Sequence, residues 1–265
     1  MFAGISFSKE SNLIDIATFK NFMVLILLMT YSFNISHPVV GKGFVHREEL
    51  YIILNSLKKP SFPSFNLYGP ERSGKSSLLR HLCEVAGPEL YPHYLWCYVD
   101  MQGILSPEDF RETVFEILSQ NYTELGNVPT VLGLDEFDAI FGSRFTTDFY
   151  DRLLILADRD NISLVAATHR PLRNIAPYGY EKFTPLELGP ISEEDALLLL
   201  TSRGLNEEES RWVIETVKKV GLFPFYLQAL GFCLDDAKRK NLPPEETREM
   251  ALNYYREQFS WAQPL

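Results

Sequence analysis

The chain has 265 residues, 46% of them hydrophobic and 23% charged, with a formal net charge of −10. That length suits one large or two small domains, and the hydrophobic content is enough for a core and excludes a disordered chain. The acidic balance disfavours broad nucleic-acid binding, and Cys83, Cys97 and Cys233 are scattered in apolar contexts, as buried thiols of a reducing compartment are, rather than a disulfide frame or metal cluster.

Residues 1–36 carry one continuous apolar run, Phe22–Met29, with Lys20-Asn21 before it and Thr30, Ser32 and Asn34 after it. A membrane span needs about 20 apolar residues. This run is shorter, and its leader holds Lys9, Glu10, Asp15 and Lys20 with no small-residue cleavage site after it, unlike a secretory signal. The segment is expected to be buried or adventitious rather than an anchor, with no stable membrane insertion, in an N-terminal extension over 1–37. An overlong start, with Met23 or Met29 nearer the true one, is a second reading.

From Glu48 the chain turns amphipathic, with Leu50, Ile53, Leu54 and Leu57 on one helical face. Lys58–Pro63 is a turn. Ser64-Phe-Asn-Leu-Tyr68 suits a buried strand, and it runs straight into Gly69-Pro-Glu-Arg-Ser-Gly-Lys-Ser-Ser77, which reads G-x-x-x-x-G-K-S. Leu78, Leu79, Leu82 and Val85 follow at helical spacing until Gly87-Pro88, which is expected to stop the helix. Strand, glycine loop and helix together are the context of a phosphate site. Triphosphate oxygens need many donors, and backbone N–H groups around one concavity supply them without bulk. The nest would be built by Gly69, Pro70, Glu71, Arg72, Ser73, Gly74, Lys75, Ser76 and Ser77, with Gly69 and Gly74 permitting the backbone angles it requires. The helix N-terminus adds the positive end of its dipole. Lys75 would reach the β- and γ-phosphates, and the Ser76 hydroxyl would ligate Mg²⁺.

Tyr94–Asp100 reads as a second strand. Ser106 caps a helix with Pro107 in its first position and Asp109 three residues on; Phe110, Val114, Ile117 and Leu118 form its buried face. After Asn127–Thr130 comes a third strand, Val131-Leu-Gly-Leu134, ending in Asp135 and Glu136. In a P-loop protein an acid there, Asp135, holds the Mg²⁺ hydration shell opposite Ser76, and the second acid, Glu136, orients and deprotonates the attacking water. Thr146 or Thr147 begins a helix with Phe149, Leu153 and Leu154 inward. The fourth strand, Ile162–Ala167, ends at Thr168-His169-Arg170. The Thr168 hydroxyl has two equal readings, one toward the γ-phosphate or water, the other toward local backbone. Arg144, Arg152, Arg159 and Arg170 are candidates for a finger onto a neighbouring subunit's phosphate, though each alone reads as a surface arginine. Asp100 suits either the site or a turn. A fifth strand lies around Phe183–Leu188. Strands alternating with helices argue for a parallel sheet covered on both faces.

From Gly189 only helices follow. Ser192 starts one, with Asp195 at capping-box spacing, and Gly204 ends it. Asn206 starts the next, which ends at Gly221. Pro224 opens a third through Lys240, and Pro243-Pro244 a fourth through Phe259. The expected domains are a P-loop core over 38–188, a helical lid over 189–241, and a C-terminal helix and tail over 242–265.

The combination resembles a family. Phe44-Val-His-Arg-Glu-Glu-Leu50 is similar to the F-V-G-R-E-x-E-L segment that precedes the P-loop in AAA+-like ATPases of the signal-transduction, or STAND, class. Gly69–Ser77 matches their Walker A motif and Val131–Glu136 their Walker B. Ala167-Thr168 falls where their sensor-1 residue ends a strand, and Gly221-Leu-Phe-Pro-Phe-Tyr-Leu227 resembles the G-G-x-P-x-x-L segment of their lid. His46 and Leu222 stand where the family has glycine, and Gly133 interrupts the apolar Walker B strand. The resemblance implies a three-layer α/β fold with a parallel five-stranded sheet in the order 5-1-4-3-2, followed by an all-α lid. It implies adenine held near Phe44 and Val45 and covered around Pro224, with Thr168 as a catalytic sensor beside Glu136 and Lys75. Relatives usually continue into a winged-helix, repeat or effector domain, so the output domain is expected to be missing or supplied by another chain.

The function read from the sequence is a cytoplasmic, Mg²⁺-dependent ATPase whose lid closure switches partner binding or self-association through core and lid. A non-hydrolysing nucleotide switch or scaffold is the alternative. A DNA-associated ATPase is the second alternative, with nucleic acid not a favoured partner. A small-molecule kinase ranks last, because Glu136 beside Asp135 favours activating water over an acceptor hydroxyl.

Overall fold

The computed structural model describes Phe33, Ile35, residues 37–119 and 128–262, and Leu265. The Phe22–Met29 run lies outside the described residues, as do the side chains of Ile117 and Leu118. Among the described residues no helix is long and apolar enough to cross a membrane.

Five strands form one parallel sheet: β1 (Ser64–Tyr68), β2 (Leu95–Asp100), β3 (Thr130–Asp135), β4 (Ile162–Thr168) and β5 (Phe183–Glu187). Their order is β2-β3-β4-β1-β5, which is the expected 5-1-4-3-2 read from the other edge. β3 and β4 are buried throughout, the pattern of strands covered on both faces. Their side chains alternate between two apolar clusters. Val131, Val165 and Ala167 join a cluster with Leu50, Ile53 and Leu54 of α1 (Glu48–Ser56) and Leu78 and Leu79 of α2 (Lys75–His81). Leu132, Leu134, Leu164 and Ala166 point the other way, toward Phe110 of α3 (Pro107–Ser119) and Phe149 and Leu153 of α4 (Thr147–Ala157). The result is a three-layer core with α1 and α2 on one face and α3 and α4 on the other.

Gly133, which breaks the apolar run of β3 in the sequence, has a packing reason. A Cβ there would stand 2.7 Å from the Cys83 sulfur and 3.0 Å from Leu79. The glycine lets α2 press onto β3, and so brings the loop at the end of β1 next to the acids at the end of β3. Gly87-Pro88 does not stop the helix as expected. The chain passes through one π-helical turn, Leu82–Ala86, and makes a further α-turn over Gly87–Leu90 before Tyr91 leaves helical geometry. Pro88 sits in the first turn of that piece, where its missing N–H costs nothing.

Four helices follow the sheet: α5 (Glu193–Ser202), α6 (Glu207–Val217), α7 (Pro224–Lys238) and α8 (Pro244–Gln258). Ser192 caps α5 by accepting from the Asp195 amide, and Asn206 with Glu209 forms a complete capping box at α6. α7 is the hub. Leu227, Ala229, Leu230 and Cys233 are fully buried in a third cluster with α5, α6, α8 and Phe33. The three cysteines are buried and unpaired; burial pushes the Cys97 and Cys233 thiols up to about 12.

Candidate functional site

The end of β1 delivers the chain into the glycine loop. Gly74 sits at φ 98°, in the left-handed region that favours glycine, and caps α2. Gly69 has a different reason from the one expected. Its backbone is not left-handed; instead a Cβ there would meet the Leu188 carbonyl oxygen at 2.6 Å. Arg72 takes the positive φ, at 68°.

Lys75 is buried, and its ammonium donates to the carbonyl oxygens of Gly69 at 2.8 Å and Pro70 at 2.9 Å. Burial holds it below the ordinary lysine range, while Glu136 and Asp135 pull the other way. Those acids end β3. Glu136 adopts φ 49° and lines the same cleft as Gly74, Lys75, Ser76 and Ser77. Burial lifts its carboxyl above the usual range. Asp135 is 3% exposed and stands behind that wall. Its Oδ1 accepts from the Glu136 amide at 3.1 Å and its Oδ2 from the Tyr98 hydroxyl at 2.8 Å.

The cleft measures about 500 Å³, within the usual range for small-molecule sites of roughly 300–1,000 Å³. Its lining combines the polar Lys75, Ser76, Ser77, Glu136 and His169 with the apolar Ile35, Pro38, Val39, Pro224 and Phe225. Glu71 and Arg72 also line it. Of the remaining expected residues, Pro224 reaches the cleft, with its ring 3.9 Å from a Cβ position at Gly74. Phe44 and Val45 are not among its described lining. Phe44 stacks on His81, centroids 4.2 Å apart, and Val45 packs against the C-terminal helices. The segment just before them lines the cleft instead, tied down where the Val39 amide donates to Ser77 Oγ at 2.9 Å and the Gly41 amide to His81 Nδ1 at 3.1 Å.

Thr168 is turned to local backbone, the second of its two readings. It is 1% exposed, donates to the Arg170 carbonyl at 2.7 Å and accepts from Asn66 Nδ2 at 2.8 Å. Its neighbour His169 lines the cleft instead, with Nδ1 2.8 Å from Asp138 and 3.6 Å from Glu136. Asp100 makes the turn, accepting from the Gln102 amide at 2.9 Å. Arg152 pairs with Asp148 at 3.0 Å on α4, and Arg144 donates to the Gln102 carbonyl at 3.2 Å, beside an adjoining hollow shared with Asp138.

Two arginines outside the obvious chemistry hold the loop. Arg47 is 6% exposed, and its Nη2 donates to the Ser73 carbonyl at 2.7 Å and the Gly189 carbonyl at 2.9 Å. Arg72 packs against the rings of both Phe225 and Trp261, which also touch each other, centroids 5.5 Å apart. Arg47 was visible only as one letter of the segment before the P-loop; no local signal marked His169 or Trp261.

Residues 65–179 match the family profile described as ATPase family associated with various cellular activities (AAA). The core has the AAA+ P-loop fold. Solved structures share its fold. Cdc6p from Pyrobaculum aerophilum is 18% identical with a TM-score of 0.57, over 79% of this chain and 65% of that one. Domain III of the Thermotoga maritima replication initiation protein DnaA is 17% identical with a TM-score of 0.58, over 85% and 97%. Drosophila ORC bound to DNA is 15% identical with a TM-score of 0.63, over 95% and 70%. The chain thus spans just under two thirds of the Cdc6p chain. No curated protein matches the sequence. At these identities the structural likeness bears on fold, and the AAA+ sheet order is the one seen here.

Proposed function

We propose that this AAA+ domain binds ATP with Mg²⁺ and hydrolyses it, and that the helices after Gly189 act as a lid whose closure switches partner binding or assembly. The observation that carries the reading is the meeting of Glu136 with Gly74, Lys75 and Ser76 on one cleft. Lys75 supplies positive charge for the phosphates. Glu136 orients the attacking water and takes its proton; its raised pKa suits a base. Ser76 and Asp135 offer hard oxygen donors next to the loop, the set Mg²⁺ prefers, and would hold it. Bound there, the ion would neutralise charge on the β- and γ-phosphates.

The domain division follows: core over 38–188, lid over 189–241, and a C-terminal helix and tail. Regulatory use in the manner of the STAND class, in the cytoplasm and with a protein partner or a second copy, is part of the proposal and rests on the motif segments before the P-loop and around Pro224. A DNA-associated ATPase is the second reading, favoured by neighbours such as Drosophila ORC bound to DNA; stimulation of turnover by duplex DNA tests it. For the main reading, Lys75→Ala should abolish nucleotide binding, while Glu136→Gln should bind nucleotide and release no phosphate. If both variants turn over like the parent, the assignment is wrong.

A further inference from the structure

Pro224 opens α7 over the phosphate loop, and Gln228 lies one helical turn further along the same face. Gln228 is 6% exposed, yet it lines the cleft. Its amide oxygen, Oε1, is buried without a hydrogen-bond partner. The same cleft is lined by Ile35, Pro38, Val39 and Phe225, apolar side chains that suit the faces of a heterocycle. A buried amide with an unfilled acceptor is uncommon and calls for a reason.

We infer that Gln228 reads the edge of the nucleobase, its oxygen accepting from the 6-amino group of adenine and its amide nitrogen donating to a ring nitrogen. This rests on the triphosphate site proposed above and adds what selects the base. The argument is one of complementarity. An amide pairs with the adenine edge through one donor and one acceptor. The orphan atom needs a donor, which the 6-amino group supplies and a 6-carbonyl does not. The final side-chain torsion of glutamine is soft, so the amide plane can turn to the base at little cost.

The test uses the whole chain and equilibrium binding of three triphosphates. These are ATP, purine riboside triphosphate (hydrogen at position 6) and inosine triphosphate (carbonyl at position 6). The parent chain is expected to prefer ATP over each of the others by roughly five- to a hundredfold, the range for a bidentate base contact. In Gln228→Met, which keeps length and apolar bulk, ATP and purine riboside triphosphate should bind alike. Equal binding of all three by the parent overturns the base contact and leaves the triphosphate site standing. Retention of the full ATP preference by a folded Gln228→Met also overturns it. If the parent binds none of the three, both the contact and the site beneath it fall.

Discussion

The guanidinium carbon of Arg72 lies 4.3 Å from the ring centroid of Trp261 and 4.7 Å from that of Phe225. One residue of the glycine loop is thereby clamped by the first turn of α7 and by the segment after α8. Trp261 is 58% exposed, so the contact is modest: about 0.5–1 kcal/mol for an exposed cation–π pair. A double-mutant cycle of Arg72→Ala and Trp261→Ala, read by chemical denaturation, should give a coupling energy in that range. Additive single variants would mean the rings and the guanidinium are neighbours without interaction.

Gly133→Ala should destabilise the fold by about 1–3 kcal/mol, the usual cost of overpacking. The added methyl would sit 2.7 Å from the Cys83 sulfur. The second variant Gly133→Ala/Cys83→Ala should recover part of the loss, as read from unfolding midpoints. No recovery would place the strain elsewhere.

His81 makes the segment at residues 39–44 sensitive to pH. Its Nδ1 accepts from the Gly41 amide, which only the unprotonated nitrogen can do. Burial holds its pKa below the ordinary 6.5, against a smaller opposing pull from Glu89. A pKa lowered in the folded state means this contribution is complete above the unfolded value and is lost as pH falls through the folded one. Protection of the Gly41 amide in hydrogen exchange should therefore drop on acidification below that point, and more steeply than that of amides in β4. In His81→Phe, which keeps a ring against Phe44, that step should vanish.

Gln228 carries a cost without a base to contact. An unsatisfied buried acceptor costs about 1–3 kcal/mol, so Gln228→Leu should raise stability by about 1 kcal/mol in nucleotide-free denaturation. An unchanged or lower midpoint would mean the oxygen is already served.

The elements were legible because each carried a local signal. The strand-loop-helix run at 64–85, the apolar strand running into Asp135 and Glu136, and the caps at Ser192 and Asn206 are each written in one short stretch of neighbouring residues. The sheet order came from family likeness; periodicity alone does not give it. Which residues at the end of β4 and in the segment before α1 face the cleft was not legible, because it depends on which side of a strand end or extended segment is turned inward. A shift of one residue reverses that face, and it separates Thr168, turned to Asn66, from His169, turned to the cleft. Gly69 and Gly133 looked like conformational or irregular glycines, but tertiary contacts decide both. Gly87-Pro88 read as a stop because a π-helical turn leaves no mark in composition.

One nitrogen, Nη2 of Arg47, holds the carbonyls of Ser73 and Gly189. The first belongs to the loop that would grip phosphate; the second stands where the chain leaves the sheet for its helices. Both rest on the same atom, so the loop and the root of the helices are tied through a single guanidinium. An apolar side chain at position 47 would remove both bonds at once, and the loop and the turn out of the sheet would lose their common anchor.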